Sequence, residues 1–289
     1  MPFRIITDST TDLSPALYAQ HQITVLPLHF RIGGQEYPDG WSDMDPASFY
    51  GRLRRGEKST TSAVNLGQFI DAFTPPLEAG EDLLFLGFSS LLSSTVATAA
   101  LAAEELRNRY PQRQILVIDT RCASAGEGLL VLLAARRRDQ GESLEAVADW
   151  VRTTAAPCIQ HWFTVDSLGH LHRGGRLSAA SALVGSALSI KPILTVSPEG
   201  ALIPVGRARG RRASLLALVD RMAENGFDPG HCPDVIVSHA DATKDAALLA
   251  ETVKRRYPAA AVTVLPLGAV IGSHAGPGTA SVFFLGSRR

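Results

Sequence analysis

The chain has 289 residues, of which 45% are hydrophobic and 19% are charged, and its 28 basic and 28 acidic residues cancel at pH 7. This length exceeds that of a typical single domain and suffices to bury sizeable cores. Because neither charge is in excess, bulk electrostatics give no reason to expect nucleic acid or an anionic membrane as a partner.

Strands and helices alternate in the first half of the chain. The hydrophobic pattern predicts strands at Phe3 to Thr7, Ile23 to Arg31, Leu83 to Phe88 and Gln114 to Asp119. It predicts helices at Asp45 to Arg55, Leu66 to Phe73, Thr95 to Tyr110, Gly126 to Asp139 and Ser143 to Ala155. Such alternation is typical of a mostly parallel sheet with helices on both faces.

The second half is richer in strand patterns. They lie at Ile159 to Val165, Ile193 to Ser197, Ala201 to Arg207, Val235 to Ser238, Val262 to Leu267 and Ser281 to Leu285. The segment SPEG, Ser197 to Gly200, predicts a hairpin turn and therefore a mixed or antiparallel sheet with helices. We expect an α/β protein with an N-terminal domain over residues 1–158 and a C-terminal domain over residues 159–289.

Location and metal content follow from a few residues. Three scattered cysteines without CxxC spacing suit a reducing compartment and suggest no metal site. Asp8 and Asp12 stand directly behind the first apolar run, where a signal peptide would have its apolar core. The uncharged stretches Leu83 to Ala103 and Ala259 to Ser287 are interrupted by serines, prolines or glycines. We therefore expect a cytoplasmic protein without a transmembrane segment.

Three polar motifs could form a binding site. Ser59 to Asn65, STTSAVN, is either a flexible linker or a cluster of hydroxyl donors. Ser89, Ser90, Ser93 and Ser94 occupy a strand-to-helix turn, where they serve either as helix caps or as part of an anion site. His274 lies in GSHAGPG, Gly272 to Gly278, which is either an ordinary turn or a loop that fixes one imidazole.

The order and spacing of several motifs give the chain a family resemblance over nearly its whole length. The motifs are IITDSTTDL at Ile5 to Leu13, the TS pair Thr61 and Ser62, LSST at Leu92 to Thr95, HRGGR at His172 to Arg176, SIKPILTV at Ser189 to Val196 and HAGPG at His274 to Gly278. In these the chain resembles the DegV family of bacterial fatty-acid-binding proteins, which present fatty acids to a fatty-acid kinase.

The resemblance implies a carboxylate site shared by both halves of the chain. Matched residue by residue, the fatty-acid carboxylate would be held by Thr61, Ser93 and His274, with Ser62 and Ser94 beside them. Ser94 stands where the family usually has glycine, which puts a Cβ against the ligand-binding backbone. The TS pair continues as AVN rather than QPS, so the usual proline is missing after it.

The resemblance also implies a binding role with a long-chain fatty acid as the only small ligand and no cofactor. A surface arginine near the GGR motif would dock the kinase, and Arg173 and Arg176 both match that description. Transient contact with a membrane surface is compatible with this role. Leu177 to Ile190 is either a core helix or a wall of the acyl tunnel. Since a buried carboxylate must become reachable, we expect mobile loops to carry Thr61 and His274.

The alternative is an acyl hydrolase or transferase. Ser93, His274 and an acid such as Asp8 would form its triad. No GxSxG motif surrounds Ser93, and no Walker sequence occurs in the chain. Asp8 and Asp12 are more typical of turns and helix caps than of phosphoryl transfer. We therefore expect a binding protein rather than an enzyme.

Overall fold

The computed structural model describes residues 3–178 and 189–289. Its first sheet is four-stranded with the order β2-β1-β6-β7, and every neighbouring pair is parallel. The strands are β1 Phe3–Asp8, β2 Thr24–Leu26, β6 Asp82–Gly87 and β7 Ile115–Asp119. The parallel sheet predicted for the first half is confirmed.

Helices cover both faces of this sheet. They are α1 Pro15–Gln20, α2 Pro46–Arg54, α3 Leu66–Glu78, α4 Thr95–Arg109, α5 Ala125–Asp139 and α6 Leu144–Trp150. Successive residues of β6 point to opposite faces: Leu83 and Phe85 pack in the cluster with α3 and α4, while Leu84 and Leu86 pack in the cluster with α5. Every residue of β6 is buried because both faces are covered.

A smaller antiparallel sheet in the first half was not expected. It has the order β4-β3-β5, with strands β3 His29–Ile32, β4 Gln35–Pro38 and β5 Ser59–Ser62. The single strand predicted at Ile23 to Arg31 is wrong, because the chain leaves the parallel sheet after Leu26 and enters this second sheet at His29. Pro27, which cannot donate a ladder hydrogen bond, stands at the break.

Helix α3 runs further than its predicted end at Phe73 and reaches Glu78 through Pro75 and Pro76. Phe69, Phe73 and Leu77 repeat every four residues and are all buried. Burial of this continuous apolar face compensates for the two amide donors that the prolines lack.

The second half forms a six-stranded mixed sheet with the order β10-β9-β8-β13-β11-β12. Its strands are β8 Ile159–Thr164, β9 Ile190–Val196, β10 Leu202–Arg209, β11 Asp234–His239, β12 Ala261–Pro266 and β13 Ala280–Leu285. Only the pair β11 and β12 is parallel. The expected hairpin joins β9 to β10 through Ser197–Gly200, where the Gly200 amide donates to the Ser197 carbonyl over 2.9 Å.

Further helices accompany this sheet. After α6 the chain continues as a π-helical stretch, Val151–Ala155, and a single turn, α7 Ala156–Cys158. The others are α8 Gly169–Arg173, α9 Arg211–Glu224, α10 Thr243–Arg256 and α11 Ala269–Ala275. The sequence predictions for the second half did not locate the helices α8 to α11. Most of the predicted helix Leu177 to Ile190 lies outside the described residues.

The two halves share one apolar core around α5. Ile5 of the first sheet, Leu129 of α5 and Phe283 of the second sheet belong to the same buried cluster. At Gly126 of α5 an added Cβ would lie 2.3 Å from Nε2 of His161, so the helix can approach strand β8 only with glycine at this position. The division at residues 158 and 159 remains a prediction. No helix within the described residues is both long and apolar enough to cross a membrane.

Candidate functional site

A cavity of about 250 Å³ lies where the carboxyl ends of the parallel strands meet the second sheet. Open α/β sheets bind ligands at this edge. The walls are mostly apolar, and they come from both halves of the chain: Leu28, Phe88, Leu92, Ala123, Phe163, Leu171, Val196, Leu202, Leu267, Val270, Ile271, Ala275 and Phe283. Such a cavity suits an apolar ligand.

The five residues predicted to bind the ligand all line this cavity. They are Thr61, Ser62, Ser93, Ser94 and His274. Thr61, Ser93 and His274 are partly buried, whereas Ser62 and Ser94 are exposed. Residues more than 200 positions apart in the chain therefore contribute to one site.

Thr61 and His274 form the most direct contact in the site. Thr61 Oγ1 lies 2.8 Å from His274 Nε2, within hydrogen-bond distance. Nearby on the same two elements, Ser59 Oγ and Ser273 Oγ are 2.7 Å apart, which ties β5 to α11 a second time. The prediction that loops carry these residues is wrong: Thr61 lies on strand β5 and His274 on helix α11.

The imidazole of His274 is neutral at pH 7. Burial, followed by the positive charge of Arg176, lowers its pKa from 6.5 to about 4. Its Nδ1 is buried without a hydrogen-bond partner among the described residues. Gly174 lies against this nitrogen, and an added Cβ there would be 2.2 Å away. The ring position therefore depends on the absence of a side chain at Gly174.

The serine turn between β6 and α4 serves partly as a helix cap. Ser93 Oγ accepts a hydrogen bond from the Thr95 amide over 3.3 Å and lies 2.8 Å from Thr95 Oγ1. Ser94 has φ of −78° and ψ of 0°, which any L-residue adopts without strain. The Cβ that replaces the family's usual glycine is thus accommodated by the backbone.

The backbone after the TS pair is held rigid without the proline that the family usually has there. Asn65 caps helix α3, accepting from the Gln68 amide over 3.0 Å. The Gln68 side chain accepts in return from the Asn65 amide over 2.9 Å. This reciprocal capping box fixes the chain directly after the TS pair.

The two arginines of the HRGGR motif differ in placement. Arg176 lines the cavity, donating from Nε to the Leu92 carbonyl over 3.0 Å and from Nη1 to the Gly174 carbonyl over 2.6 Å. Arg173, at the end of α8, is exposed and does not line the cavity. Arg176 therefore braces the serine turn, while Arg173 faces solvent.

Buried carboxyl groups anchor the start of α11, which sequence reasoning missed. Asp12 Oδ1 accepts from the Gly268 amide over 2.9 Å, and Asp39 Oδ1 accepts from the Ala269 amide over 3.0 Å. Burial is the largest cause of the raised pKa of both carboxyl groups. The pKa of Asp39 is raised to about 6. Asp8 behaves as the sequence suggested, since it caps a short 3-10 turn through the Thr10 amide.

His161 is a further polar lining residue, and no motif in the sequence points to it. It is fully buried on β8, where Nε2 accepts from the Ala123 amide over 3.2 Å and Nδ1 lies 3.1 Å from the Ile159 carbonyl oxygen. Burial holds its pKa well below the usual range. Its partners are backbone groups far apart in the chain, which no local motif reveals.

The geometry lacks the hydrogen-bond series of a serine hydrolase. His274 Nε2 contacts Thr61 rather than Ser93, and Nδ1 has no carboxylate partner among the described residues. Asp8 accepts from Thr10 and Phe88 instead. Within the same residues, no group of three or more His, Cys, Asp or Glu side chains could hold a metal ion.

The fold and cavity define a class of α/β protein that encloses an apolar ligand site between a parallel and a mixed sheet. The family model described as "Uncharacterised protein, DegV family" matches residues 2–287. A DegV domain-containing protein of Clostridium perfringens is 40% identical over 288 residues, covering 99% of this chain and 98% of that protein. The chain belongs to the DegV family.

Solved structures agree with this assignment. A DegV family protein from Thermus thermophilus, described by its fatty-acid binding, has 31% identity and a TM-score of 0.88, with 99% of this chain and 100% of that chain covered. DegV from Bacillus subtilis, described as a fatty-acid-binding protein, has 27% identity and a TM-score of 0.85, with coverage of 99% and 100%.

Proposed function

We propose that this protein binds one long-chain fatty acid, with the acyl chain in the apolar cavity and the carboxylate at Thr61, Ser93 and His274. The observation that carries the proposal is the bonded pair of Thr61 and His274 on the wall of an otherwise apolar cavity. The Thermus thermophilus and Bacillus subtilis relatives, described as fatty-acid binders, support the same ligand class.

The energetics of such a ligand explain the mixed lining. Each buried methylene contributes about 0.8 kcal/mol, so a long acyl chain supplies ample gross affinity. Its carboxylate loses water on entry, and an unpaired buried charge costs several kcal/mol. Hydroxyl groups and a neutral imidazole can donate to the carboxylate, and the Arg176 guanidinium on the same wall adds a positive charge.

We further propose that the protein presents this carboxylate to a separate cytoplasmic kinase. The chain carries no Walker sequence, and the family that it resembles supplies fatty acids to such a kinase. Arg173 is the better docking residue of the two arginines, because it is exposed while Arg176 lines the cavity. Ser62 and Ser94, both exposed at the cavity, would border the carboxylate when the kinase reaches it.

A reconstituted kinase assay tests this division of labour. Arg173→Glu should abolish acyl-phosphate formation without changing fatty-acid affinity, because it alters only the docking surface. Arg176→Glu differs from it, because it should weaken fatty-acid binding itself by placing a carboxylate on the cavity wall. Normal acyl-phosphate formation by Arg173→Glu would contradict the docking role. Acyl phosphate formed from ATP and fatty acid by the protein without any kinase would show that the protein is an enzyme.

A further inference from the structure

A second concave site of about 270 Å³ shares none of its described lining residues with the cavity around Thr61 and His274, which is called the acyl cavity below. Four segments form it: the end of β7, the helical turn after α6, the β9–β10 hairpin and the C-terminal tail. Its charged side chains are mostly cationic. The four arginines Arg121, Arg152, Arg288 and Arg289 are called the arginine cluster below.

The arginine cluster carries more positive than negative side-chain charge among its described lining residues. The chain as a whole has a formal net charge of zero, so four cations in one concavity are a local excess. No carboxylate among residues 3–178 and 189–289 forms an ion pair with any of the four guanidinium groups. Arg136, by contrast, contacts Asp234 at 2.6 Å.

Asp119, the one acidic side chain among the described lining residues, has a different role. Its Oδ1 accepts from the Arg121 amide over 2.9 Å, and its Oδ2 accepts from Ser90 Oγ over 2.5 Å. These bonds hold Arg121 at a φ of +52°, a conformation that is uncommon for residues other than glycine. The Asp119 carboxylate thus shapes the loop that presents Arg121.

Arg289 is fixed in position before any ligand arrives. Its Nη1 donates to the Arg121 carbonyl over 3.1 Å, and its Nη2 donates to the Ala156 carbonyl over 2.8 Å. Its Nε is buried and has no hydrogen-bond partner within the described residues. The two carbonyl bonds therefore hold the guanidinium charge of Arg289 at the edge of the concavity.

The field of the cluster extends to the neighbouring hairpin. The pKa of the exposed Glu199 carboxyl is lowered first by a hydrogen bond from Ser197, and then also by the positive charges of Arg121 and Arg289. Glu199 nevertheless forms no ion pair with them and does not line the site. The concavity therefore remains open to an anion from solution.

We infer that the arginine cluster binds a phosphate group, either as inorganic phosphate or as part of a small phosphate monoester. Guanidinium groups pair with phosphate oxygens in a bidentate manner, and a dianion with several acceptor oxygens can serve more than one arginine at once. A volume of about 270 Å³ admits a phosphate with a small substituent. A monocarboxylate has only two oxygens and one charge to offer.

Phosphate bound here would connect segments that also border the acyl cavity. Arg121 is two residues from Ala123, which lines that cavity. On the hairpin, the Gly200 carbonyl accepts from Ser89 Oγ over 2.8 Å, next to the serine turn. The inference does not depend on the identity of the acyl ligand, because none of the four arginines lines the acyl cavity.

Isothermal titration of the purified full-length protein tests the site. The probes are inorganic phosphate and glycerol 3-phosphate, with acetate as a control anion, all at constant ionic strength. We expect saturable binding of both phosphates, with a dissociation constant in roughly the millimolar range, and no saturable binding of acetate. Tighter binding of glycerol 3-phosphate would assign a monoester as the ligand, and equal binding would assign the phosphate group alone.

A pair of exposed substitutions gives the decisive comparison. The double variant Arg121→Gln, Arg152→Gln should weaken phosphate binding by about tenfold or more, with an unchanged melting temperature because both side chains are exposed. Arg255→Gln, an exposed arginine outside the cluster, should bind like the unmodified protein. The inference is overturned if phosphate does not saturate the unmodified protein, if acetate binds equally, or if the double variant binds phosphate normally.

Discussion

Individual polar atoms decide what the acyl cavity can hold. His274 is neutral because burial lowers its pKa to about 4, so at pH 7 it offers a hydrogen bond and no charge. Thr61, bonded to the same ring, fixes the imidazole from strand β5. Under the proposed function, recognition of the carboxylate depends on donors that are already in place, together with the guanidinium of Arg176.

Removing one donor at a time tests this arrangement. Thr61→Val, Ser93→Ala and His274→Ala should each weaken fatty-acid binding by about 1–3 kcal/mol, because each leaves a buried carboxylate with one bond fewer. Thr60→Val is the matched control, since Thr60 is the exposed neighbour on the same strand and does not line the cavity. Binding by fluorescence displacement measures the effect. Unchanged affinity in all three variants would place the carboxylate elsewhere.

Two adjacent glycines separate ring position from backbone strain. Gly174→Ala should weaken fatty-acid binding, because its Cβ would displace His274 from a position only 2.2 Å away. Gly175→Ala should instead lower the melting temperature and leave affinity unchanged, since Gly175 has a φ of +72° and open space around it. Displacement titration and thermal denaturation distinguish the two. If both variants retain full affinity, the imidazole does not contact the ligand.

At the scale of elements, helix α11 owes its position to the first half of the chain. It has only seven residues, a length that is marginal for a helix in water. Gly268, the residue at its N-cap, has no side chain that could cap it. Asp39 accepts from its first amides, and Tyr50 donates to the Leu267 carbonyl just before it over 2.6 Å. The His274 helix therefore depends on residues more than 200 positions away.

This dependence explains why the sequence predicted some elements and missed others. Helices α4 and α5 were predicted closely because their own residues form continuous apolar faces. Helix α11 was predicted as a loop, since its caps are tertiary contacts that no local pattern contains. Strand β5 was missed because STTS has no alternating apolar residues and is ordered by pairing with β3.

The residues of the candidate site were likewise only partly predictable from the sequence. Family motifs identified Thr61, Ser93 and His274 as neighbours. Composition and spacing alone were equally compatible with an ordinary linker, helix cap or turn at these positions. His161 and Asp39 could not be selected, because their partners lie in distant elements. Sequence thus predicts which residue types are available, and packing decides which of them face the cavity.

The buried cap of α11 should make stability depend on pH. Burial raises the pKa of Asp39 from 3.8 to about 6, so folding favours its protonated form. The corresponding stability is fully present below pH 3.8 and is lost as pH rises through 6. The side chain of the Asp39→Asn variant stays neutral at every pH. Between pH 4 and 7 the free energy of unfolding of this variant should therefore rise relative to that of the unmodified protein, by up to about 3 kcal/mol.

Urea denaturation at several pH values measures this difference. Asp43→Asn provides the control, because Asp43 is an exposed neighbour on the same loop. A difference that does not grow with pH for Asp39→Asn, or that grows equally for Asp43→Asn, would contradict the assignment of Asp39 as a buried acid with a raised pKa.

At the scale of the whole molecule, the cavity exists because two sheets share one core. Helix α5 contacts both sheets through its glycines and leucines. The edges of the sheets meet beside it, with Phe88 following the first sheet and Phe163 on the second. The walls are mostly apolar on both sides, which fits the apolar chain and single polar end of the proposed fatty acid.

The lipid content of the protein as purified tests that conclusion most directly. Mass spectrometry of the intact protein under native conditions, followed by organic extraction, gives the mass and the amount of any bound lipid. We expect roughly one long-chain fatty acid per chain, since burial of each methylene contributes about 0.8 kcal/mol and the dissociation of a long acyl chain is unfavourable. Preparations that contain no fatty acid, and that bind none when it is added, would contradict the proposed function.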